Sequence, residues 1–290
     1  MSTKFPDKYF FSSSISDNKV IGNLSKLKLT IFILPTLFLL SIILILYLND
    51  ALTINNYIQI QKSCFFYINS TLSEYPNTLI NLTQLGDEVI SLSFLSIFFV
   101  YRPKVWESLI PASLFSALIS VLLKRFFAVP RPAAVFDHNN FNIIGETLSG
   151  KTSLPSGHSI TVFMLLTVLL FAFMPKQQIK KMLWYILIMM SGLILVFTRV
   201  GVGAHYPLDV IIGGAIGYIS GLAGIFISRK FKIWSWIVDK KYYPFFILLF
   251  LLSAIVLINK IISINLIIFY LALFFLLFSL IKTISIYVKK

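Results

Sequence analysis

The stretch SLPSGHSITVFMLLTVLLFAFM, residues 153–174, decides the fold. A Pro-Ser-Gly turn leads into an apolar run that is long enough to enter a bilayer, and His158 stands where the run begins. The whole chain has three histidines. Serine ahead of an apolar run is typical of a helix N-cap, so we predict a membrane helix that begins near Ser156 and carries a titratable group at its lip.

The composition places the chain among integral helical membrane proteins. Of its 290 residues, 58% are apolar and 12% are charged, whereas a soluble domain is nearer half apolar and a quarter charged. The net charge of +14 comes from short clusters between apolar runs, a pattern typical of membrane topology signals and not of a nucleic-acid-binding surface. With Cys64 as its single cysteine, the chain cannot form an intrachain disulfide or a cysteine-based metal cluster.

The apolar runs predict an all-α fold, a polytopic membrane helical bundle with a six-helix core and a C-terminal helical hairpin. The expected spans lie near residues 30–48, 83–101, 106–123, 159–175, 182–198, 208–228, 243–259 and 261–281. Asp87 and Glu88 shorten the apolar part of the second span. Only Asn259 and Lys260 separate the last two runs, which therefore form either a tight hairpin or two full spans.

The same pattern divides the chain into four parts. Residues 1–29 form a polar cytoplasmic tail, and residues 30–82 hold the first span and an external loop. Residues 83–228 form the core. Residues 229–290 hold a cytoplasmic interfacial segment and the hairpin.

Lysine and arginine predict the orientation, because cytoplasmic segments of membrane proteins are enriched in them. With a cytoplasmic N-terminus, most of the 25 basic residues fall on the cytoplasmic side. The exceptions are Lys62, Lys124, Arg125, Arg131, Lys151, Arg199 and Lys260. We therefore expect a multi-pass protein with both termini in the cytoplasm. The membrane we favour is a bacterial inner membrane, which places the opposite face in the periplasm.

Three glycines, Gly213, Gly217 and Gly221, recur every four residues in IIGGAIGYISGLAG. Faces of small residues let membrane helices approach closely. We predict that this stripe packs against another helix of the same chain, with a dimer interface as the alternative. The oligomeric state is left open.

Charged and titratable side chains gather at three helix ends that the predicted topology places on the external face. They are Lys124 and Arg131 after the third span, His158 before the fourth, and Arg199, His205 and Asp209 between the fifth and sixth. Charged groups at membrane depth are costly and usually functional. We therefore expect the three ends to meet in one polar pocket.

The cationic half of this pocket suits a phosphate group. Lys124, Arg131 and Arg199 concentrate positive charge, and arginine forks match phosphate oxygens in a bidentate manner. Ser156 and Gly157 stand where a helix begins, so we expect their backbone N–H groups to point outward with the positive end of the helix dipole.

His205 and Asp209 supply a reactive half. Their four-residue separation lets the carboxylate reach one imidazole nitrogen, which fixes the tautomer and leaves the other nitrogen free to attack phosphorus. His158 can then protonate the departing oxygen as a general acid. The alternative is an external ion pair between Arg199 and Asp209 that only pins helices together.

At these residues the chain resembles the type 2 phosphatidic acid phosphatase family, which shares its site with vanadium haloperoxidases and bacterial non-specific acid phosphatases. The family pattern is Lys-x6-Arg-Pro, then Pro-Ser-Gly-His, then Ser-Arg-x5-His-x3-Asp. The matching residues here are Lys124 with Arg131-Pro132, then Pro155-Ser156-Gly157-His158, then Arg199 with His205 and Asp209.

The resemblance covers roughly residues 83–228. Thr198 departs from the pattern, because it stands where the family usually has serine, but it keeps the hydroxyl. TQLGDEV, residues 83–89, resembles a short Leu-Gly-Asp stretch that family members often carry earlier in the chain.

The resemblance also implies roles for the site residues. His205 would form a phosphohistidine intermediate, Asp209 would orient it, and His158 would protonate the leaving group. The residues implied to hold the phosphoryl oxygens are Lys124, Arg131, Ser156, Gly157 and Arg199. Family hydrolases need no metal, and we expect no cofactor, since the clusters offer too few carboxylates for a two-metal site.

Four external residues match no motif. We expect Arg125 to face lipid headgroups and His138 to lie in a solvated loop. Glu146 and Lys151 either touch a substrate headgroup or belong to a solvated loop.

These observations favour an enzyme that removes phosphate from a lipid phosphomonoester or pyrophosphate at the external leaflet. Undecaprenyl pyrophosphate is the substrate we favour, by family analogy alone, with phosphatidylglycerophosphate and lipid A as alternatives. Two other functions remain open. One is a lipid phosphotransferase that uses the same site, and the other is a non-catalytic protein that binds or transports lipid phosphates.

Overall fold

The computed structural model describes residues 18–289, and within that range the chain is helical without any β-strand. In chain order the helices are α1 (Ile33–Leu48), α2 (Ile54–Leu72), α3 (Pro76–Thr83), α4 (Glu88–Leu95), α5 (Ile97–Tyr101), α6 (Pro103–Phe127), α7 (Gly157–Ala172), α8 (Gln178–Gly201), α9 (Pro207–Phe231), α10 (Tyr243–Ile264) and α11 (Ile267–Val288). Residues 18–25 are also helical. The predicted all-α class is confirmed, and most of the predicted polar tail lies outside the described residues.

Among the residues described, six helical segments are long and apolar enough to cross a membrane, which confirms the polytopic bundle. They are Leu29–Leu48, Pro103–Ala134, Gln178–Gly201, Pro207–Phe231, Lys240–Ile264 and Ile267–Val288. Helix α7, which carries the opening stretch, has 16 residues. At 1.5 Å per residue it is roughly 24 Å long, shorter than a full span.

The second predicted span is a bent pair of helical segments and not one helix. Pro76–Gly86 and Glu88–Tyr101 meet at an angle of 78°. The break falls at Asp87, whose backbone is extended and whose carboxylate accepts hydrogen bonds from Val89 N and Ile90 N. An N-cap of this kind starts a new helix. Asp87, which shortens the apolar run in the sequence, therefore also marks the bend between the two segments.

The segment 49–82, expected to be an external loop, is largely helical. Helix α2 buries Tyr57, Gln61, Phe65 and Asn69, which recur every four residues and form one face. Side chains at that spacing lie above one another on a helix. The polar composition of the segment concealed this face, because two of its four members are amides.

The C-terminal hairpin consists of α10 and α11, which pack against each other and against the interrupted second span. Each has 22 residues and is long enough to cross a membrane. Lys260 Nζ lies 3.2 Å from Asp87 Oδ2, and Ile268 N donates to Asn81 Oδ1. The hairpin is thus tied to the interrupted second span.

The glycine stripe of α9 packs on α7 within the chain, as predicted. A Cβ added to Gly213 would lie 2.7 Å from the carbonyl oxygen of Ser156, and one added to Gly217 would strike the carbonyl oxygen of Ile160. Such distances are too short for any side chain, so only glycine permits this approach. The two helices therefore lie close enough for their N-terminal ends to touch.

We expect Gly217→Ala to lower stability by about 1–3 kcal/mol, because the new methyl group meets backbone that cannot move aside. The measurement is the midpoint of thermal unfolding in detergent. Gly22→Ala is the matched control, since nothing lies within 4 Å of its Cβ position. An unchanged midpoint combined with dissociation of a dimer would show that the stripe packs between chains instead.

Candidate active site

The site forms where the end of α6, the start of α7 and the turn between α8 and α9 meet. Ser156 N, at the start of α7, donates to Asp209 O in the first turn of α9 over 3.1 Å. Ser153 N donates to Val129 O, just beyond α6, over 2.9 Å. The three predicted clusters thus come together at one end of the bundle.

His205 lies in the turn between α8 and α9 and is 1% exposed. Arg131 Nη1 is 3.2 Å from its Nε2 and also donates to the carbonyl oxygen of Ala204. Because a guanidinium can only donate, Nε2 must be the accepting nitrogen and the proton of the neutral ring must sit on Nδ1. The arginine therefore fixes the tautomer, and Nε2 is the unprotonated nitrogen, whose lone pair accepts from Arg131.

Two side chains face the Nδ1 atom of His205. Asp209 Oδ2 and Ser153 Oγ each lie 3.5 Å from it, at the outer limit of a hydrogen bond. Ser153 Oγ also donates to Asp209 Oδ2 over 2.6 Å. The serine therefore links the imidazole to the carboxylate, a position that the sequence analysis did not assign to it.

The surroundings of His205 keep its ring neutral. Burial is the main cause that lowers its pKa well below the usual 6.5, and the nearby charges of Arg131 and Arg199 lower the pKa further. A neutral imidazole keeps the Nε2 lone pair that a nucleophile needs.

Asp209 is fully buried and held by three donors. Tyr57 OH donates to Oδ1 over 2.7 Å, while Ser153 Oγ and the backbone N–H of Tyr206 donate to Oδ2. Hydrogen bonds of this kind stabilise the ionised form of a buried carboxylate. The carboxylate is thus fixed on both oxygens before any ligand arrives.

His158 lies in the same pocket as His205. Burial lowers the pKa of His158 well below the usual 6.5, and the nearby Arg199 and His205 lower it further. The 3₁₀ turn Gln84–Gly86 packs against its side chain, because a Cβ added to Gly86 would lie 2.5 Å from His158 Cβ. His158 remains partly exposed, so the pocket opens on its side.

The cations line this opening. A Cβ added to Gly157 would lie 3.1 Å from Lys124 Nζ, so the ammonium group sits against the first residue of α7. Arg199 Nη1 donates to Thr83 Oγ1 over 3.0 Å, and its buried Nε has no partner among residues 18–289. None of Lys124, Arg131 and Arg199 forms an ion pair with a carboxylate in the described chain. The structure therefore holds surplus positive charge and not the alternative ion pair between Arg199 and Asp209.

Ser156 differs from the sequence-based expectation. Its hydroxyl caps α7 by accepting from Ser159 N over 3.4 Å, and its N–H is engaged by Asp209 and does not point outward. Ser156 thus joins two helix ends, while Gly157 lies beside the lysine.

His138 and Arg125, two of the external residues that match no motif, are exposed. His138 lies on an exposed 3₁₀ turn, and its Nε2 is 2.9 Å from the carbonyl oxygen of Ala133. Arg125 is exposed near the end of α6. Within residues 18–289, no three His, Cys, Asp or Glu side chains cluster as a metal site would require.

The site includes residues that sequence reasoning missed. Ser153 immediately precedes the Leu-Pro-Ser-Gly-His run, and Thr83 and Gly86 belong to the Leu-Gly-Asp stretch, so both signals were present nearby. Tyr57 stands 152 positions from Asp209 in a segment without a motif. Nothing in the sequence indicated its contact.

Known proteins match the part of the chain that contains this site. The PAP2 superfamily matches residues 106–234. A lipid A 1-phosphatase of Rhizobium johnstonii is 39% identical over 121 residues, which cover 40% of this chain and 45% of the relative. A lipid A 1-phosphatase of Rhizobium etli is 37% identical over 141 residues, which cover 45% of this chain and 56% of the relative.

The chain spans about half the length of the curated relatives it matches. Among solved structures, the crystal structure of Aquifex aeolicus LpxE is similar, with a TM-score of 0.48 and 25% identity over 58% of this chain and 95% of that chain. Residues 106–234, which match the PAP2 superfamily, contain every predicted site residue, from Lys124 to Asp209.

Proposed function

We propose that this protein is a membrane lipid phosphatase that hydrolyses a phosphomonoester on the periplasmic side of a bacterial inner membrane. The observation that carries the proposal is His205, a buried imidazole whose unprotonated Nε2 accepts from Arg131. The cations around it lack carboxylate partners in the described chain, as a site for a phosphate dianion requires.

The proposed reaction has two steps. His205 Nε2 attacks phosphorus, and the bond from phosphorus to the lipid oxygen breaks. His158, which takes up a proton when the phosphate dianion binds, gives that proton to the departing oxygen. Water then attacks the phosphohistidine while His158 takes up a proton from it, which releases inorganic phosphate and restores His205. Asp209 and Ser153 keep the Nδ1 proton of His205 in place throughout.

The cationic side chains stabilise the charge that builds on the phosphoryl oxygens. Lys124 beside Gly157 supplies a point charge, and Arg131 and Arg199 offer planar donors from the buried side. Ser156 contributes by fixing the start of α7 against α9. This mechanism uses no resident metal or cofactor. Independence from a metal is a prediction, which activity in the presence of a chelator tests.

The substrate class follows from the membrane setting. The apolar helices place the pocket in a protein that crosses a bilayer, so a substrate whose acyl or prenyl tail stays in the membrane can present its phosphate at the partly exposed His158. Both curated relatives are named lipid A 1-phosphatase, which supports lipid A with a 1-phosphate as the first candidate. Undecaprenyl pyrophosphate rests on family analogy alone and stays a prediction.

We expect the purified protein to release inorganic phosphate from lipid A carrying a 1-phosphate in the presence of EDTA. The assay compares this lipid with phosphatidylglycerophosphate and undecaprenyl pyrophosphate, each with and without a lipid acceptor that bears a hydroxyl group. Release from none of them would overturn the proposal. Phosphate that appears on the acceptor in place of water would identify a phosphotransferase.

Removal of the nucleophile by His205→Ala is expected to lower kcat by about a thousandfold or more, while KM changes much less. His138→Ala is the control, since His138 is the histidine on the exposed 3₁₀ turn away from the pocket, and its kcat should stay within about twofold of wild type. Steady-state phosphate release measures both. Near-normal turnover in His205→Ala would exclude the phosphohistidine mechanism.

The orientation can be tested with Cys64, an exposed cysteine of α2 on the side of the bundle that holds the site. In intact spheroplasts, a membrane-impermeant maleimide should label Cys64 without lysis, because we place α2 in the periplasm. A Cys64→Ser variant that also carries Ser25→Cys should be labelled only after lysis. The reverse pattern would put the site on the cytoplasmic face.

A further inference from the structure

Helix α2 lies outside the segment that matches the PAP2 superfamily, yet it reaches the centre of the site. Tyr57 OH donates to Asp209 Oδ1 over 2.7 Å, and both side chains are buried. Among the hydrogen bonds of the described residues, Tyr57 is the donor to Oδ1, while Ser153 and the backbone of Tyr206 share Oδ2.

The same helix holds both sides of the turn that carries His205. Asn69 Nδ2 donates to the carbonyl oxygens of Val200 and Gly201 at the end of α8. Gln61 Oε1 accepts from Leu208 N over 2.9 Å at the start of α9. Three residues on one face of α2 thus fix the last turn of α8, the first turn of α9 and the carboxylate of Asp209.

The packing of α2 does not depend on the Tyr57 hydroxyl. Phe65 is completely buried, with its ring 5.7 Å from Tyr206, 5.8 Å from Phe136 and 5.4 Å from Phe141. Loss of one hydroxyl leaves this aromatic cluster intact. The variant Tyr57→Phe should therefore fold and differ from wild type mainly at Asp209.

We propose that Tyr57 is a positioning residue: it fixes the Asp209 carboxylate so that the carboxylate can orient His205, and α2 is part of the active site of this protein. The inference rests on the proposed phosphatase function. Without the phenol, Oδ1 is buried without a donor, and the carboxylate is free to rotate away from the imidazole or to take up a proton.

The test compares Tyr57→Phe with wild type on the best lipid phosphate of the panel. We expect kcat to fall about ten- to a hundredfold, the range of a hydrogen bond to a charged group, while KM stays within about threefold. The acid limb of the kcat profile should move to higher pH, since the carboxylate loses a donor that favours its ionised form. Tyr67→Phe, an exposed tyrosine of the same helix, is the control and should match wild type.

The outcomes are separable. Wild-type kcat and an unshifted pH profile in Tyr57→Phe would overturn the positioning role while leaving the phosphatase intact. The assay is repeated at temperatures well below the thermal midpoint of the variant. If kcat returns to the wild-type value there, the loss reflects stability, and this result would also overturn the positioning role. An inactive wild-type protein would overturn the proposed function and this inference with it.

A second variant covers the possibility that Tyr57→Phe does not fold. Gln61→Met removes the acceptor of Leu208 N at nearly constant volume and acts on the same turn. It should lower kcat at little change in KM, and unchanged kcat would count against α2 as part of the site.

Discussion

The close packing of α7 on α9 is the constraint on which the site depends. Glycine at 213, 217 and 221 brings the backbone of α9 into contact with that of α7, as only residues without a Cβ can do. Two helix N-termini then lie side by side and share the hydrogen bond from Ser156 N to Asp209 O. We expect a larger residue in place of one of these glycines to push α7 and α9 apart and so to separate His158 from His205.

Two buried arginines lie beside this contact between α7 and α9, although burial of an unpaired charge costs free energy. Arg131 and Arg199 are 9% and 7% exposed, and neither pairs with a carboxylate within residues 18–289. Unpaired buried cations destabilise a fold, because desolvation is not repaid by a partner. We attribute their presence to a bound phosphate, whose charge would supply the missing partner.

Periodicity and spacing were enough to predict the bundle and the meeting of the three helix ends. They succeeded because apolar length and motif spacing are local properties of the chain. The sequence showed only that Asp87 shortens an apolar run, because an acidic residue there can either cap a new helix or stand in a loop. Helix α2 was missed because amides occupy half of its buried face, and Tyr57 because a contact across 152 positions leaves no trace in one sequence.

Covalent transfer of phosphate to His205 tests the central claim most directly, since it requires the imidazole and the phosphorus atom to meet in this one pocket. The measurement is a rapid alkaline quench of the enzyme during turnover of a lipid phosphate, followed by mass spectrometry of its peptides. We predict a phosphorylated peptide that contains His205, with the label gone once the substrate is exhausted. Turnover without any phosphorylated peptide, or with phosphate on another residue, would contradict the account.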